Sequence, residues 1–287
     1  MDGSVVTVVL FAALLHASWN ALVKAGSDKY LSTVLVACGA GLVSLPLLPF
    51  ASAPHADSWP WLVASACCQV IYYRLLAAAY HHGDMSQAYP LMRGAAPLLV
   101  ALASVPLLGE RLHWRQDVAV MLICGGVLTL TILRGAHAGA DNAANRATRR
   151  KATSYALLNA AIIAGYTMID AVGVRKSGAP AAYTMWLFVL TAVMLLLCST
   201  NRWRELPAYA RSHAPVMLLG GFGTLASYGL ALWAMTQAPV AAVAALRETS
   251  IMFAAAIAAL FLRERLAPGR ILAVSLIACG AILMRLG

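Results

Sequence analysis

The sequence predicts an all-α integral membrane protein in which about ten transmembrane helices form two inverted five-helix repeats. The first observation is the composition: hydrophobic residues make up 61% of the chain and charged residues 11%, whereas a soluble domain carries about 25% charge. So few charges do not cover a water-exposed surface, and most of this surface is therefore expected to face lipid. The second observation is a series of long apolar segments, and the third is an internal repeat.

Ten segments each contain roughly the 20 mainly apolar residues that a helix needs to cross a bilayer. The first segment ends in polar residues and Lys24 without a persuasive cleavage site, so we expect a retained helix rather than a signal peptide. Because most connections are very short, consecutive helices are expected to be antiparallel neighbours. The segments lie at about 4–24, 30–50, 59–81, 84–107, 114–133, 153–174, 179–200, 213–235, 239–261 and 268–286.

The longest connection, 134–152, divides the chain. It is polar, basic and rich in Gly, Ala and Asn. We therefore expect a linker with solvated charges between two halves, residues 1–133 and 153–287.

An internal repeat relates these halves. After a shift of 154 residues, 76–126 aligns without a gap, LGERL at 108–112 falls on LRERL at 262–266, and Arg93 falls on Arg247. A chance match between apolar segments would not also bring an intramembrane Arg and the ERL corner into register. Each half has an odd number of spans, so the second half must cross the membrane in the opposite sense. Inverted repeats are common in secondary transporters, whose substrate site lies near mid-membrane between the repeats.

The two corner segments, LLGERLHWRQDVAVMLICGGVLTL and FLRERLAPGRILAVSLIACGAILMRL, resemble the drug/metabolite transporter superfamily, EamA-type. The resemblance covers nearly the whole chain and implies a ten-helix transporter of unspecified substrate. The strings HASWNALVK and GDMSQAYPLMRGAAP are similar to a branch associated with phosphonate utilisation.

Charged side chains inside a bilayer are costly and are by default functional hypotheses. Arg93 and Arg247 occupy equivalent positions in the fourth helix of each half, and guanidinium groups hold carboxylate or phosphate through paired hydrogen bonds. Asp170 and Glu248 are the carboxylates deep in the spans, and each is expected either to carry a coupling proton or to pair internally with Arg93 or Arg247. With Arg74, three arginines face two carboxylates, and this surplus suggests an acid-bearing substrate.

Polar and aromatic side chains supply further candidates for the substrate site. His16, Trp19 and Asn20 share one face of the first helix, which is otherwise made of small and aliphatic residues. Structural roles in helix packing remain an alternative for all of them. The other candidates for cavity lining are Tyr72, Tyr73, Arg74, Tyr89 and Tyr228.

The fourth helix contains Pro90, Pro97 and Pro106. Proline removes a backbone donor, and such breaks are tolerated beside a cavity. Pro90 and Pro97 are therefore candidate gating hinges, with a kinked packing helix as the alternative. The Gly pairs at 125–126 and 220–221 predict close helix packing.

Other functional classes find little support. The six cysteines lie in apolar runs without metal spacing, so no metal site is expected. No nucleotide-binding loop or hydrolase motif is present, and no cofactor or enzymatic activity is expected. The net charge of +10 lies mostly in connections, which argues against nucleic acid as a partner. An enzyme acting on lipid headgroups would have to use the cluster His81, His82 and Asp84.

The leading hypothesis is a secondary transporter in the bacterial inner membrane that exports small polar or acid-bearing metabolites, such as amino acids. Its expected partners are the substrate, the lipid bilayer and, if a proton drives transport, protons; the oligomeric state stays open. A flippase for a phosphate-bearing lipid is the alternative. Orientation is also open: the odd-numbered connections hold 13 Lys and Arg and the even ones with the C-terminal tail hold 5, which places both termini outside by the positive-inside rule, whereas the resemblance implies both inside.

Overall fold

The computed structural model describes residues 1–25, 28–82, 85–135, 143–199, 202–261 and 267–286, and within these ranges the chain forms helices and no strand. Each apolar segment saturates its own backbone hydrogen bonds as a helix, which is the requirement that lipid imposes. The helices are α1 (Gly3–Ala25), α2 (Lys29–Ser44), α3 (Trp59–His82), α4 (Met85–Leu108), α5 (Trp114–Gly135), α6 (Ala143–Ser177), α7 (Pro180–Cys198), α8 (Leu206–Ser212), α9 (Ala214–Gln237), α10 (Val240–Arg247), α11 (Ser250–Phe261) and α12 (Pro268–Leu286).

Helices occupy all ten predicted spans, with α10 and α11 sharing the ninth. The second span is shorter than expected, because α2 ends at Ser44 before Pro46 and Pro49. Seven spans among the described residues are long and apolar enough to cross a membrane by length and composition. Of the remaining three helices, α2 has only 16 residues, and α3 and α5 carry more polar side chains.

The predicted linker is partly helical. Helix α5 continues to Gly135 and α6 begins at Ala143. Most of the basic residues of 134–152 therefore lie in the first turns of a 35-residue helix. The centre of the predicted linker, and the LRERL corner, lie outside the described residues.

Helices of one half pack directly against helices of the other half. Helix α1 packs against α9, as α6 packs against α3. Helix α4 packs against α6, as α10 and α11 pack against α1. Exchanging the halves maps each of these contacts onto its partner, so the packing has the pseudo-twofold relationship that the inverted repeat predicts.

The seam between α5 and α12 lies on this pseudo-dyad. A Cβ added to Gly126 would lie 2.9 Å from both the Ala273 carbonyl oxygen and the Ile277 side chain. A Cβ added to Gly280 would lie 2.8 Å from the Ala119 carbonyl oxygen and 2.6 Å from the Ile123 side chain. Gly126, Ala119 and Ile123 are the repeat counterparts of Gly280, Ala273 and Ile277. The contacts are therefore reciprocal, residue by residue.

The outer surface of the bundle is apolar. Leu102 of α4 is 74% exposed, Leu219 of α9 63% and Ile282 of α12 62%. Such a density of exposed large hydrophobic side chains on several helices is typical of a surface in contact with lipid.

Candidate functional site

A cavity of about 110 Å³ lies between the two halves. Four helices of the bundle, α1, α3, α4 and α9, contribute most of its wall, with single residues from α2, α6, α7 and α10. Most of the predicted site residues meet here. The lining residues are His16, Trp19, Asn20, Thr33, Gln69, Tyr72, Tyr73, Leu76, Tyr89, Arg93, Tyr166, Phe188, Thr224, Ser227, Tyr228 and Arg247.

Arg93 reaches the cavity from α4 and pairs across the halves with Glu248. Its Nε donates to Oε2 of Glu248 at 2.9 Å, and the two side chains are only 10% and 5% exposed. The Nε side of the Arg93 guanidinium is therefore occupied by the Glu248 carboxylate. Arg93 Nη2 is buried and has no hydrogen-bond acceptor within the described chain.

Arg247 reaches the cavity from the C-terminal end of α10. Its guanidinium lies over the ring of Tyr228, 4.9 Å from the centroid, in a cation–π arrangement. Within the described ranges it forms no ion pair shorter than 4 Å. Arg247 is therefore the cation on the wall that has no carboxylate partner among the described residues.

Asp170 lies behind the wall rather than on it. The residue is fully buried, and its two carboxylate oxygens accept hydrogen bonds from the hydroxyls of Tyr183 at 3.0 Å and Tyr228 at 2.6 Å. Of the two predicted carboxylates, Glu248 thus forms the expected internal ion pair, whereas Asp170 is held by tyrosines. Tyr228 links Asp170 on one side to Arg247 on the other.

Aromatic rings form a continuous part of the wall. Tyr166 lies between Tyr72 and Tyr228, with ring centroids 6.1 and 6.4 Å apart, and Phe188 lies 6.0 Å from Tyr228. Edge-to-face contacts at these separations fix the rings. The faces that remain open suit an apolar or cationic part of a small ligand.

On α1, the predicted polar face is present. The ring of His16 contacts that of Trp19 edge to face at 5.1 Å, and Asn20 Nδ2 donates to the His16 carbonyl oxygen at 2.7 Å. Trp19 Nε1 is a second buried donor with no acceptor in the described part of the molecule. Two unpaired N–H donors therefore belong to residues of one cavity wall.

Arg74 is a correction to the expected site. It is exposed and is absent from the cavity lining. Gln69, Tyr72, Tyr73 and Leu76 share one face of α3, and residue 74 lies one helical step of about 100° beyond Tyr73. Among the residues with described side chains, the interior consequently holds two arginines and two carboxylates, and the predicted surplus of positive charge is lost. The wall itself remains cationic, because both arginines line the cavity and both carboxylates lie behind it.

The helix is interrupted in the ninth span, between α10 and α11, and not at the prolines of α4. Helix α4 is continuous through Pro90 and Pro97, and their role as gating hinges stays a prediction. Between α10 and α11, the amides of Glu248, Thr249 and Ile251 bond to carbonyls three residues back, at 2.9, 3.1 and 3.0 Å. This local 3₁₀ geometry lies directly beside Arg247.

An ion pair closes the end of the bundle that carries both termini. Arg175 of α6 pairs with Glu110 at 2.6 Å and donates from Nε to the Met235 carbonyl oxygen at 2.8 Å. The other carboxylate oxygen of Glu110 accepts from the Val240 amide at 2.7 Å, which caps the N-terminus of α10. Gly109, at φ 68°, turns the chain after α4 and brings Glu110 to this position. We call Glu110, Arg175 and the Val240 amide the latch.

The opposite end of the bundle has its own ion pair. Asp28 accepts from the Leu31 amide at 2.9 Å and pairs with Arg202 at 2.9 Å. Partial burial raises the pKa of the Asp28 carboxyl, but the Leu31 amide and Arg202 together bring that pKa below its ordinary value. The cavity lies nearer this end, since Thr33 and Tyr89 belong to the first turns of α2 and α4.

Several lining residues escape a search for charges and prolines. Tyr166 has a detectable signal, because it falls opposite His16 at a shift of about 150 residues. Thr33, Thr224 and Phe188 lie singly in apolar helices and give no local signal. Tyr183, which holds Asp170, becomes visible only once α6 and α7 are packed together.

The fold and parts of the sequence are similar to those of known proteins. A solved crystal structure superposes with a TM-score of 0.77 at 18% sequence identity, over 100% of this chain and 99% of that one, which shows a shared fold. A 73-residue segment is 33% identical to the nicotine metabolites export pump subunit NepA of Paenarthrobacter nicotinovorans. This match spans 25% of the present chain and 63% of the relative.

The sequence profile of the EamA-like transporter family matches residues 3–132 and 150–286, which is most of the chain and covers both halves. The family fold is a ten-helix membrane fold with two repeats, in agreement with the helices and pseudo-dyad described above. The protein is accordingly a multi-pass membrane protein, and the chain belongs to the EamA-like transporter family.

Proposed function

We propose that this transporter exports small metabolites that bear a carboxylate, such as amino acids, across the bacterial inner membrane by alternating access. The observation that carries the proposal is the pair of unpaired buried donors, Arg93 Nη2 and Trp19 Nε1, on the wall of one cavity. A buried N–H without an acceptor is costly, and a carboxylate oxygen is an acceptor that a ligand could bring to either donor. Arg247, which pairs with no carboxylate in the described part of the chain, supplies the neighbouring positive charge.

The size and lining of the cavity support a small solute. A volume of about 110 Å³ suits a metabolite, and the aromatic faces of Tyr72, Tyr166 and Tyr228 suit its ammonium or apolar part. A lipid would in addition need a lateral opening for acyl chains. Export is supported by the similarity to a bacterial export pump subunit alone.

In the proposed cycle, the latch keeps the end with both termini closed while ligand enters from the opposite end. Opening of the latch and closure at the other end would then release the ligand. The two halves rock about the α5–α12 seam, and a proton or an exchanged solute drives the movement. Asp170 and Glu248 remain the candidate coupling groups.

Counterflow of radiolabelled amino acids in proteoliposomes tests the proposal. Arg247→Gln is expected to abolish counterflow, because it removes the unpaired cation from the wall. Arg74→Gln is the matched control, because it removes the same group from the exposed face of α3 and is expected to transport like the parent. Equal transport by both variants would refute the site. Scrambling of a fluorescent lipid phosphate without amino-acid counterflow would favour the flippase.

A further inference from the structure

We propose that Glu248 sets the charge selectivity of the cavity, so that it accepts ligands with a single anionic group and rejects those with two. This inference rests on the proposed function and deepens it. It excludes dicarboxylates and phosphate monoesters as substrates, and it assigns that exclusion to one residue.

The first argument is geometric. Glu248 takes the Nε of Arg93 at 2.9 Å and leaves Nη2 as the free donor of this guanidinium. A guanidinium binds carboxylate or phosphate most strongly when two parallel N–H groups face it. With Nε occupied, the edge of the guanidinium that includes Nε is taken by Glu248, and a ligand is left with the edge formed by the two Nη groups.

The second argument is the charge of the interior. Arg93 and Arg247 lie on the wall, and the carboxylates of Glu248 and Asp170 lie behind it. Asp170 is 0% and Glu248 4% exposed, so their charges are poorly screened by water. A ligand with two negative charges would leave the site with two more negative than positive charges. Unpaired charges are costly in a protein interior of low dielectric constant.

The third argument is the repeat. Arg93 and Arg247 are counterparts, but the position after Arg93 is Gly94 and the position after Arg247 is Glu248. A Cβ added to Gly94 would lie 2.9 Å from the Leu128 side chain, so that position has no room for a carboxylate. Glu248 is therefore present in one half only, which is the half whose helix breaks between α10 and α11.

Isothermal titration of the purified full-length protein with matched ligand pairs tests the inference. Succinamate and succinate are similar in shape and differ by one negative charge, as do glutamine and glutamate. We expect the parent to bind the singly anionic member of each pair at least about tenfold more tightly. Glu248→Gln is expected to reduce this ratio towards one or to invert it, and Glu248→Asp, which keeps the charge, to restore it.

The measurements on the parent stand even if Glu248→Gln fails to fold. Equal binding of both members by the parent would overturn the charge selectivity and leave the carboxylate site intact. Binding of neither member would instead contradict the proposed function. A Glu248→Gln protein that folds and keeps the parental ratio would show that the selectivity does not come from Glu248.

Discussion

Arg93 and Glu248 join the two halves through one buried ion pair, with 2.9 Å between Nε and Oε2. Breaking such a pair leaves an uncompensated charge and costs about 3–5 kcal/mol. We expect Arg93→Gln and Glu248→Gln each to lower the thermal midpoint markedly. The double variant is expected to lose less than the sum of the two, with a coupling of roughly 0.5–3 kcal/mol in a double-mutant cycle. Strict additivity would show that the pair is not formed in the membrane.

The hydroxyls of Tyr183 and Tyr228 both donate to Asp170, and removing each in turn distinguishes an effect on stability from an effect on ligand binding. Tyr228→Phe and Tyr183→Phe each remove one donor from the same buried carboxylate, so each is expected to cost about 1–3 kcal/mol of stability. Only Tyr228 lines the cavity and lies under Arg247. Tyr228→Phe is therefore expected to weaken ligand binding, and Tyr183→Phe to leave it near the parental value, in titration calorimetry. Equal losses of affinity would contradict the assigned role of Tyr228.

The latch predicts a local change in backbone protection. Glu110→Ala removes the acceptor of the Val240 amide and the partner of Arg175. We expect the amides at the start of α10 to exchange with deuterium roughly three- to tenfold faster, equivalent to one lost hydrogen bond. Glu205→Ala is the control, because it removes a carboxylate from Arg202 at the opposite end. Unchanged protection in Glu110→Ala would exclude the latch.

The α5–α12 seam predicts a symmetric response. A methyl group at Gly126 or at Gly280 would meet a carbonyl oxygen and an isoleucine of the facing helix. Gly126→Ala and Gly280→Ala are therefore each expected to cost about 1–3 kcal/mol, by similar amounts. Gly125→Ala has no neighbour within 4 Å, and it is expected to be neutral or stabilising because alanine favours a helix. Chemical denaturation in detergent compares the three variants, and a destabilised Gly125→Ala would count against the packing.

Local sequence patterns indicate the spans and several of the residues that line the cavity. The number of spans follows from hydropathy, and the register of Arg93 with Arg247 follows from the repeat. The face containing His16, Trp19 and Asn20 follows from helical spacing. Arg93, Arg247, His16, Trp19 and Asn20 all line the same cavity in the structure.

The predictions are weakest where the answer depends on packing between helices. The sequence of α3 does not reveal which side faces the interior, so Arg74 is grouped with Tyr72 and Tyr73 although it is exposed. The break beside Arg247 has no proline to announce it, whereas α4 continues through Pro90 and Pro97. Tyr183 reaches Asp170 only through tertiary contact.

The reciprocal contacts of Gly126 and Gly280 have an energetic consequence for transport. If the halves were identical, exchanging their conformations would rotate the molecule into itself, and the inward-facing and outward-facing states would be isoenergetic. Any preference for one state must therefore come from positions where the halves diverge. Glu248 with its counterpart Gly94, and Tyr228 with its exposed counterpart Arg74, are two such divergent pairs, and they mark where natural variation would tune directionality.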